Sequence, residues 1–149
     1  MNKDETIKNL KELVQLDIDA VHAYDEAIDG IDENSIREQL ARFREDHQRH
    51  ITELSAVLRE NGGTPPEYSP DFKGYLISGF TSLRSITGTS GAMKAMQSNE
   101  KLTNKKYRDA EGWEVDPAIK RIIFENREDE RRHLAFIDEA IEKKIWEKV

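Results

Sequence analysis

The sequence predicts an all-α fold, a four-helix bundle made of two repeated helical hairpins joined by one long helical crossover. Apolar residues recur at spacings of three and four, and no segment alternates as a strand does. The polar segment at 44–50, Arg-Glu-Asp-His-Gln-Arg-His, returns at 127–133 as Arg-Glu-Asp-Glu-Arg-Arg-His. The same offset of 83 residues pairs Asp17 with Glu100 and Tyr24 with Tyr107. The repeat therefore spans a pair of helices.

The first hairpin is predicted from its helix signals. Helical periodicity over about Lys3–Asp29 ends near Gly30 and defines the first helix. Ser35 with Glu38 three residues later predicts a capping box that starts the second helix. The Asn-Gly-Gly sequence at 61–63 predicts its end. Because only a few residues connect the two helices, they are expected to be antiparallel.

The crossover and the second hairpin follow in the same way. The Ser-Pro pair at 69–70 can start a shorter crossover helix that ends at Gly88. A third helix is predicted from Gly91 to Ala110, and the Asp-Pro pair at 116–117 predicts a cap and a first-turn proline for the fourth. The connection is long enough to return along the bundle, which is typical of single-crossover four-helix proteins.

Composition favours one domain over residues 1–149, with repeat halves at about 1–62 and 89–149 and a crossover at about 63–88. The formal net charge of -7 argues against nucleic acid or anionic lipid as a partner. No apolar run is long enough to cross a membrane and no apolar leader is present, so we expect a cytoplasmic protein. Because the chain has no cysteine, any metal must be bound by carboxylates and imidazoles.

The repeated polar segments fall on helix faces that the apolar pattern turns inward. His47 and His50 continue the inward face of the second helix, and Glu130 and His133 occupy the equivalent places on the fourth. The first and third helices add one acid each. Six ionisable residues are thereby directed at one level of the core: Asp17, His47, His50, Glu100, Glu130 and His133.

Three buried carboxylates and three buried imidazoles would be costly as isolated groups, since an unpaired buried charge costs several kcal/mol even after relaxation. One or two divalent cations would compensate them, and this mixture of oxygen and nitrogen ligands suits iron, manganese or zinc. A single buried histidine is more often a packing residue than a ligand. Repetition in register on inward faces favours a metal site with these six residues as ligands.

The segment 129–133, Asp-Glu-Arg-Arg-His, matches the Asp-Glu-x-Arg-His signature of the ferritin-like superfamily, which includes bacterioferritin, rubrerythrin and the di-iron monooxygenase subunits. The chain resembles this superfamily over its four main helices. The resemblance implies a di-iron centre in which Glu130 bridges both metals and His133 binds one of them. It also implies that Asp17 and Glu100 are the single acids of the first and third helices.

The first polar segment departs from the superfamily pattern. His47 stands where the superfamily has its second bridging glutamate, and Asp17 stands where glutamate is usual. One bridging carboxylate is therefore missing, which argues against a standard symmetric di-iron centre. The segment 82–88 and the helix after it are similar to a group of uncharacterised bacterial ferritin-like proteins, a likeness that implies no reaction.

Four further residues are expected to support the ligands. Asp46 and Asp129 each precede a ligand position and can accept the second ring N–H of a histidine on the opposite helix, fixing its tautomer. The alternative is that both are acids facing solvent. The hydroxyls of Tyr24 and Tyr107 can donate to buried carboxylates, although either tyrosine can also be a core aromatic residue.

The resemblance implies a dimetal protein, with iron as the expected metal and manganese or zinc as others, that oxidises Fe(II) or reduces dioxygen or peroxide. A rubrerythrin-like peroxidase would need an external electron donor, because no cysteine is present for a rubredoxin-like centre. A homodimer is the expected assembly. Two alternatives remain open: a metal-free or singly metallated structural or stress interaction bundle, and an iron-storage cage subunit, which is disfavoured because the chain ends soon after the fourth helix.

Overall fold

Four helices form the part of the chain that the computed structural model describes, residues 1–68 and 88–147. They are α1 (Lys3–Asp29), α2 (Asn34–Glu60), α3 (Gly88–Ala110) and α4 (Pro117–Lys143), and no strand occurs among these residues. α1 packs against α2 and α3, while α4 packs against α3 and α2. The predicted all-α bundle of two helical hairpins is confirmed.

The duplication extends to the helix boundaries. An offset of 83 residues carries both ends of α2 onto both ends of α4. The bounds of α1 are those that the periodicity predicts, and its first turn is capped by Asn2, whose side chain accepts a hydrogen bond from the Glu5 backbone N–H at 2.8 Å. The two hairpins are therefore built on nearly the same frame.

The capping box predicted at Ser35 is wrong. α2 already begins at Asn34, so Ser35 lies inside the first turn, and Glu33 in the cap position makes no side-chain cap hydrogen bond. The Glu33 carboxylate instead accepts a hydrogen bond of 2.7 Å from the hydroxyl of Thr89 in the first turn of α3. This contact between distant parts of the chain was not visible in the local sequence pattern.

The end of α2 lies where the sequence predicts it. Asn61 is the last, half-helical residue and Gly62 follows with a φ of +87°, a conformation that favours glycine. At Gly63 the chain passes so close to Leu58 that a Cβ atom would lie 2.6 Å from the Leu58 Cδ1 atom. The two glycines thus allow the chain to leave the helix and turn back over its last turn.

The second hairpin needs one correction. α3 includes Gly88, three residues before the predicted start at Gly91. The crossover helix predicted from Ser69 lies outside the described residues. Asp116 occupies the cap position of α4 and Pro117 its first turn, as predicted, although the Asp116 side chain makes no cap hydrogen bond.

Two apolar clusters fill the two ends of the bundle and leave a polar layer between them. One cluster contains Tyr24, Phe43 and Met96, and the other contains Leu10, Leu54 and Ile123. The inward face predicted for α4 is buried along its whole length. Its residues are Ile119, Ile123, Asn126, Glu130, His133, Ile137 and Ala140.

Candidate metal centre

The six predicted ligands meet in the polar layer between the two apolar clusters, and the side chain of each is fully buried. They form two overlapping groups, in each of which one oxygen or nitrogen atom per residue lies within 4.8 Å of the others. The first group is Asp17, His47, His50 and Glu130, and the second is His47, Glu100, Glu130 and His133. His47 and Glu130 belong to both groups. Each group could hold a metal ion, and the two groups share two of their residues.

His50 and His133 present their rings in the same way. The Nε2 atom of His50 lies 2.9 Å from Asp129 Oδ2, and the Nε2 atom of His133 lies 2.8 Å from Asp46 Oδ2. In a neutral ring, an Nε2–H that donates to an aspartate leaves the lone pair on Nδ1, which is the atom facing the centre. The Nδ1 atom of His50 lies 3.0 Å from Asp17 Oδ1, so a bound cation would replace a proton there. The predicted contacts of Asp46 and Asp129 with histidines of the opposite helix are thus present.

His47 is held differently, because both of its ring nitrogens face carboxylates of the centre. Its Nδ1 atom lies 2.7 Å from Asp17 Oδ1 and 3.4 Å from Glu130 Oε1. Its Nε2 atom lies 3.3 Å from Glu100 Oε1. Both nitrogens of this ring therefore point at residues of the two candidate cation positions.

Two buried atoms of the centre lack a hydrogen-bond partner among the described residues, Glu130 Oε1 and His133 Nδ1. The nearest imidazole nitrogens to Glu130 Oε1, on His47 and His50, are 3.4 and 3.6 Å away without the geometry of a hydrogen bond. An unsatisfied buried polar atom costs about 1–3 kcal/mol. Both atoms are ligand atoms of the kinds that bind divalent transition metals, so the residues present fit a bound cation.

The two buried tyrosines cross between the hairpins. The Tyr24 hydroxyl on α1 donates a hydrogen bond to Glu100 on α3, and the Tyr107 hydroxyl on α3 donates to Asp17 on α1. Each single acid is therefore oriented by a tyrosine from the other hairpin. These contacts are the ones predicted for tyrosines that satisfy buried carboxylates.

The sequence pattern places Thr103 and Asn126 on inward faces but assigns neither of them a role in the polar layer. Thr103 donates a hydrogen bond of 2.9 Å to Glu130 Oε2, and Asn126 Nδ2 donates one of 3.3 Å to the Tyr107 hydroxyl. Both lie on inward faces, about one turn from Glu100 and Glu130 respectively, where apolar residues are the rule. A polar residue one turn from a ligand on the same inward face is the signal that could have found them.

The acids of the first and third helices are ionised through their histidine neighbours. Burial alone would raise the pKa of Asp17, but the imidazoles of His50 and His47 outweigh burial and lower it to about 2. Burial likewise opposes ionisation of Glu100, yet its contacts with His133 and His47 hold its pKa well below the usual range. Both acids are therefore charged acceptors at neutral pH.

The shared residues of the centre retain protons. Burial, followed by the charge of Glu100, raises the pKa of Glu130 well above its ordinary value. For His47, burial favours the neutral ring, but Glu130 and Asp17 outweigh burial and raise its pKa well above the ordinary value of 6.5. Since metal ligands must give up such protons, cation binding here is expected to strengthen as pH rises.

A small ion-pair network covers the centre on the α2–α4 side. Arg132 Nη2 lies 2.9 Å from both Asp46 Oδ2 and Asp129 Oδ1, while Arg49 contacts the same two acids. Burial opposes ionisation of Asp46, but His133 and Arg132 lower its pKa far below the ordinary value. The two aspartates are thus kept as anions that accept the histidine N–H groups beneath them.

Fold and site together define a four-helix bundle whose buried carboxylate and imidazole groups can hold metal ions. A family model described as "Domain of unknown function (DUF2383)" matches residues 5–111, and the chain belongs to this family. The matched region begins in the first turn of α1, covers α2 and α3, and ends before α4, which carries Glu130 and His133. No match is found among curated proteins. Among the described residues, none of the helices has the length and apolarity needed to cross a membrane.

Proposed function

We propose that this protein is a ferritin-like dimetal protein that binds two iron ions and oxidises Fe(II) or reduces dioxygen or peroxide. The observation that carries the proposal is the pair of four-residue groups that share His47 and Glu130. Two buried ligand atoms without a hydrogen bond, Glu130 Oε1 and His133 Nδ1, also support it. The match of residues 129–133 to the ferritin-like signature gives the expected metal and reaction class.

Each hairpin would supply one acid and one terminal imidazole. Asp17 and His50 would bind one ion, Glu100 and His133 the other, and Glu130 would bind both. Bound iron would supply electron exchange with dioxygen or peroxide. The chain's own groups orient the ligands, because Asp46 and Asp129 fix the outer nitrogens of His133 and His50. The two apolar clusters keep water out of the layer from both ends of the bundle. Manganese or zinc would suit the same ligands.

The substrates in this proposal are Fe(II) and the oxidant. Each turnover of peroxide reduction consumes electrons. Bound iron can supply them repeatedly only if Fe(III) is reduced again or replaced by Fe(II). The chain contains no cysteine with which to hold a second electron-transfer metal. A peroxidase activity would therefore depend on an external electron donor.

Anaerobic loading with Fe(II), followed by mixing with dioxygen or hydrogen peroxide, tests the proposal. Fe(III) is expected to form much faster than in buffer alone, as measured by its near-ultraviolet absorbance. The amount of oxidant consumed should be proportional to the Fe(III) formed. Glu125→Ala, which removes an exposed acid on α4, is the matched control and should behave as wild type. Oxidation at the buffer rate by protein that has bound iron would contradict the proposed activity.

A structural bundle is the second candidate. Its support is that Asp17 already contacts His47 and His50 at 2.7 and 3.0 Å, so part of the layer is satisfied by internal ion pairs. Glu130 Oε1 and His133 Nδ1, which are buried without a hydrogen bond, count against it. Protein that binds no Fe(II) or Co(II) in the absence of oxygen would favour this candidate over the dimetal protein.

A further inference from the structure

We propose that His47 binds both metal ions, one through each ring nitrogen, and so replaces the bridging carboxylate that the first polar segment lacks. This inference rests on the dimetal function proposed above and deepens it. It assigns a bridging role to a residue whose side chain is of a different type from that of its counterpart, Glu130. The position of the ring between the two groups supports it.

The two nitrogens of His47 face the two cation positions separately. Nδ1 contacts Asp17, which belongs with His50 in the first group, and Nε2 contacts Glu100, which belongs with His133 in the second. The nitrogens of an imidazole diverge, so one ring can reach both acids only from a place between them. His47 occupies that place.

The orientation of the ring is fixed on several sides. The rings of Tyr24, His50 and His133 lie with their centroids 5.4, 5.5 and 5.1 Å from that of His47. His50 and His133 each use Nε2 for an aspartate outside the ligand set, whereas the Nε2 contact of His47 is to Glu100, itself a candidate ligand. Both nitrogens of His47 thus remain directed at the centre.

Bridging through both nitrogens requires the ring to release both N–H protons to solvent, which leaves an imidazolate with one negative charge. Together with the carboxylates of Asp17, Glu100 and Glu130, that charge equals the charge of two divalent cations.

Proton magnetic resonance of the protein loaded with two Co(II) ions tests the inference. An imidazole bound through one nitrogen keeps an N–H on the other, which gives a strongly shifted resonance that disappears in D2O. We expect two such resonances, from His50 and His133, and none from His47. Three such resonances, one of which is lost on replacing His47, would overturn the bridge.

Two variants give an independent measurement. In His47→Asn the amide can take the place of Nδ1 only, and in His47→Gln it can take the place of Nε2 only. Affinity for the second Co(II) ion should fall at least about tenfold in both variants. The loss of a ligand atom should cost no less affinity than the loss of a residue that only orients a ligand. His22→Gln, a histidine of α1 outside the centre, should leave it unchanged. If either the Asn or the Gln variant binds the second Co(II) with wild-type affinity, His47 acts through one nitrogen.

The outcomes also separate this inference from the proposed function. Wild-type protein that binds fewer than two Co(II) ions contradicts the dimetal function, whatever the variants do. Wild-type protein that binds two ions and shows three exchangeable resonances keeps the dimetal function and removes the bridge.

Discussion

The first hairpin, α1 with α2, and the second hairpin, α3 with α4, present the same supporting contacts to the centre. In each hairpin a histidine projects its outer nitrogen to an aspartate of the other hairpin. In each, a tyrosine donates its hydroxyl to the single acid of the other. Because all four contacts run between the repeats, neither hairpin can orient its ligands without its partner.

The hairpins differ where the two metal positions meet. His47 of the first hairpin corresponds to Glu130 of the second, and the polar neighbours of Glu130 have apolar counterparts. In the repeat, Thr103 corresponds to Ala20, and Asn126 corresponds to Phe43. The ring centroids of Phe43 and His133 are 4.2 Å apart. The supporting frame, made by Asp46, Asp129, Tyr24 and Tyr107, therefore has two-fold equivalence, whereas the shared ligands do not. Equivalent substitutions in the supporting frame of the two hairpins should therefore change metal binding to a similar extent. Substitutions of His47 and Glu130 should change it to different extents.

The largest effect is expected from exchanging the shared ligands. Glu130→Ala should reduce binding to at most one metal ion and Fe(II) oxidation to the buffer rate, since it removes the one carboxylate that faces both positions. His47→Glu should instead strengthen binding of the second ion and bring oxidation closer to two irons per chain, because a carboxylate needs no deprotonation of a ring. Metal stoichiometry and oxidation rate are the measurements.

One combination of results would show that the shared residues have been misassigned. It is Glu130→Ala oxidising Fe(II) at the wild-type rate while His47→Glu leaves metal affinity unchanged. The middle of the centre would then not carry the chemistry, and the difference between the hairpins would have no functional meaning.

Metal loading should stabilise the whole bundle, because both hairpins contribute ligands to each position. With free metal at about 100 times Kd, two filled sites add about 5 kcal/mol to the free energy of unfolding. For a chain of this size that corresponds to a rise in Tm of about 10–20 °C. Thermal melts with chelator and with added Co(II) measure it, and coincident melts would show that the polar layer is satisfied without metal.

Substituting the two supporting aspartates tests the equivalence of the frame. Asp46→Asn and Asp129→Asn should each weaken metal binding about 10–100-fold, because each removes the anion that holds a histidine N–H. The two losses should be similar, since the distances to His133 and His50 are 2.8 and 2.9 Å. Asp109→Asn, an exposed acid of α3, is the control. A loss in only one variant would show that the frame is not two-fold.

The smallest effect is expected from a residue present in one half only. Thr103→Val keeps the side-chain volume but removes the donor to Glu130 Oε2, and should lower the free energy of unfolding of the chelator-treated protein by about 1–2 kcal/mol. Thr52→Val, an exposed threonine on α2, should change it by less than about 0.5 kcal/mol. Chemical denaturation compares the two, and equal effects would remove Thr103 from the centre.

Much of this frame could be predicted from the sequence, because a helix that buries one face repeats its core residues at a regular spacing. All seven positions of the predicted inward face of α4 are buried. For α1 the same spacing predicts an inward face of Leu10, Leu13, Asp17, Ala20, Tyr24, Ala27 and Ile31, but the helix also buries Val14, Ile18 and Val21. The reason is that α1 packs more closely on α3 than α4 packs on α2. Local periodicity identifies one face and does not show how closely a helix packs against its second neighbour.

The centre itself was predictable only as a set of residues. Spacing shows which side chains turn inward, but not which ring nitrogen of a histidine faces the core. That choice depends on Asp46 and Asp129, which lie more than 75 residues along the chain from their histidine partners. The same limit applies to the start of α2, where the Glu33 contact with Thr89 replaces the predicted cap.

The number of metal ions bound per chain decides whether the buried polar layer is a dimetal centre. Anaerobic calorimetric titration of the chelator-treated protein with Fe(II) or Co(II) should saturate at two ions, with Glu125→Ala matching wild type. Saturation at two ions is the result expected if each of the groups that share His47 and Glu130 holds one cation. Saturation at one ion would contradict the dimetal centre, and the absence of binding would leave the polar layer as a structural ion-pair network.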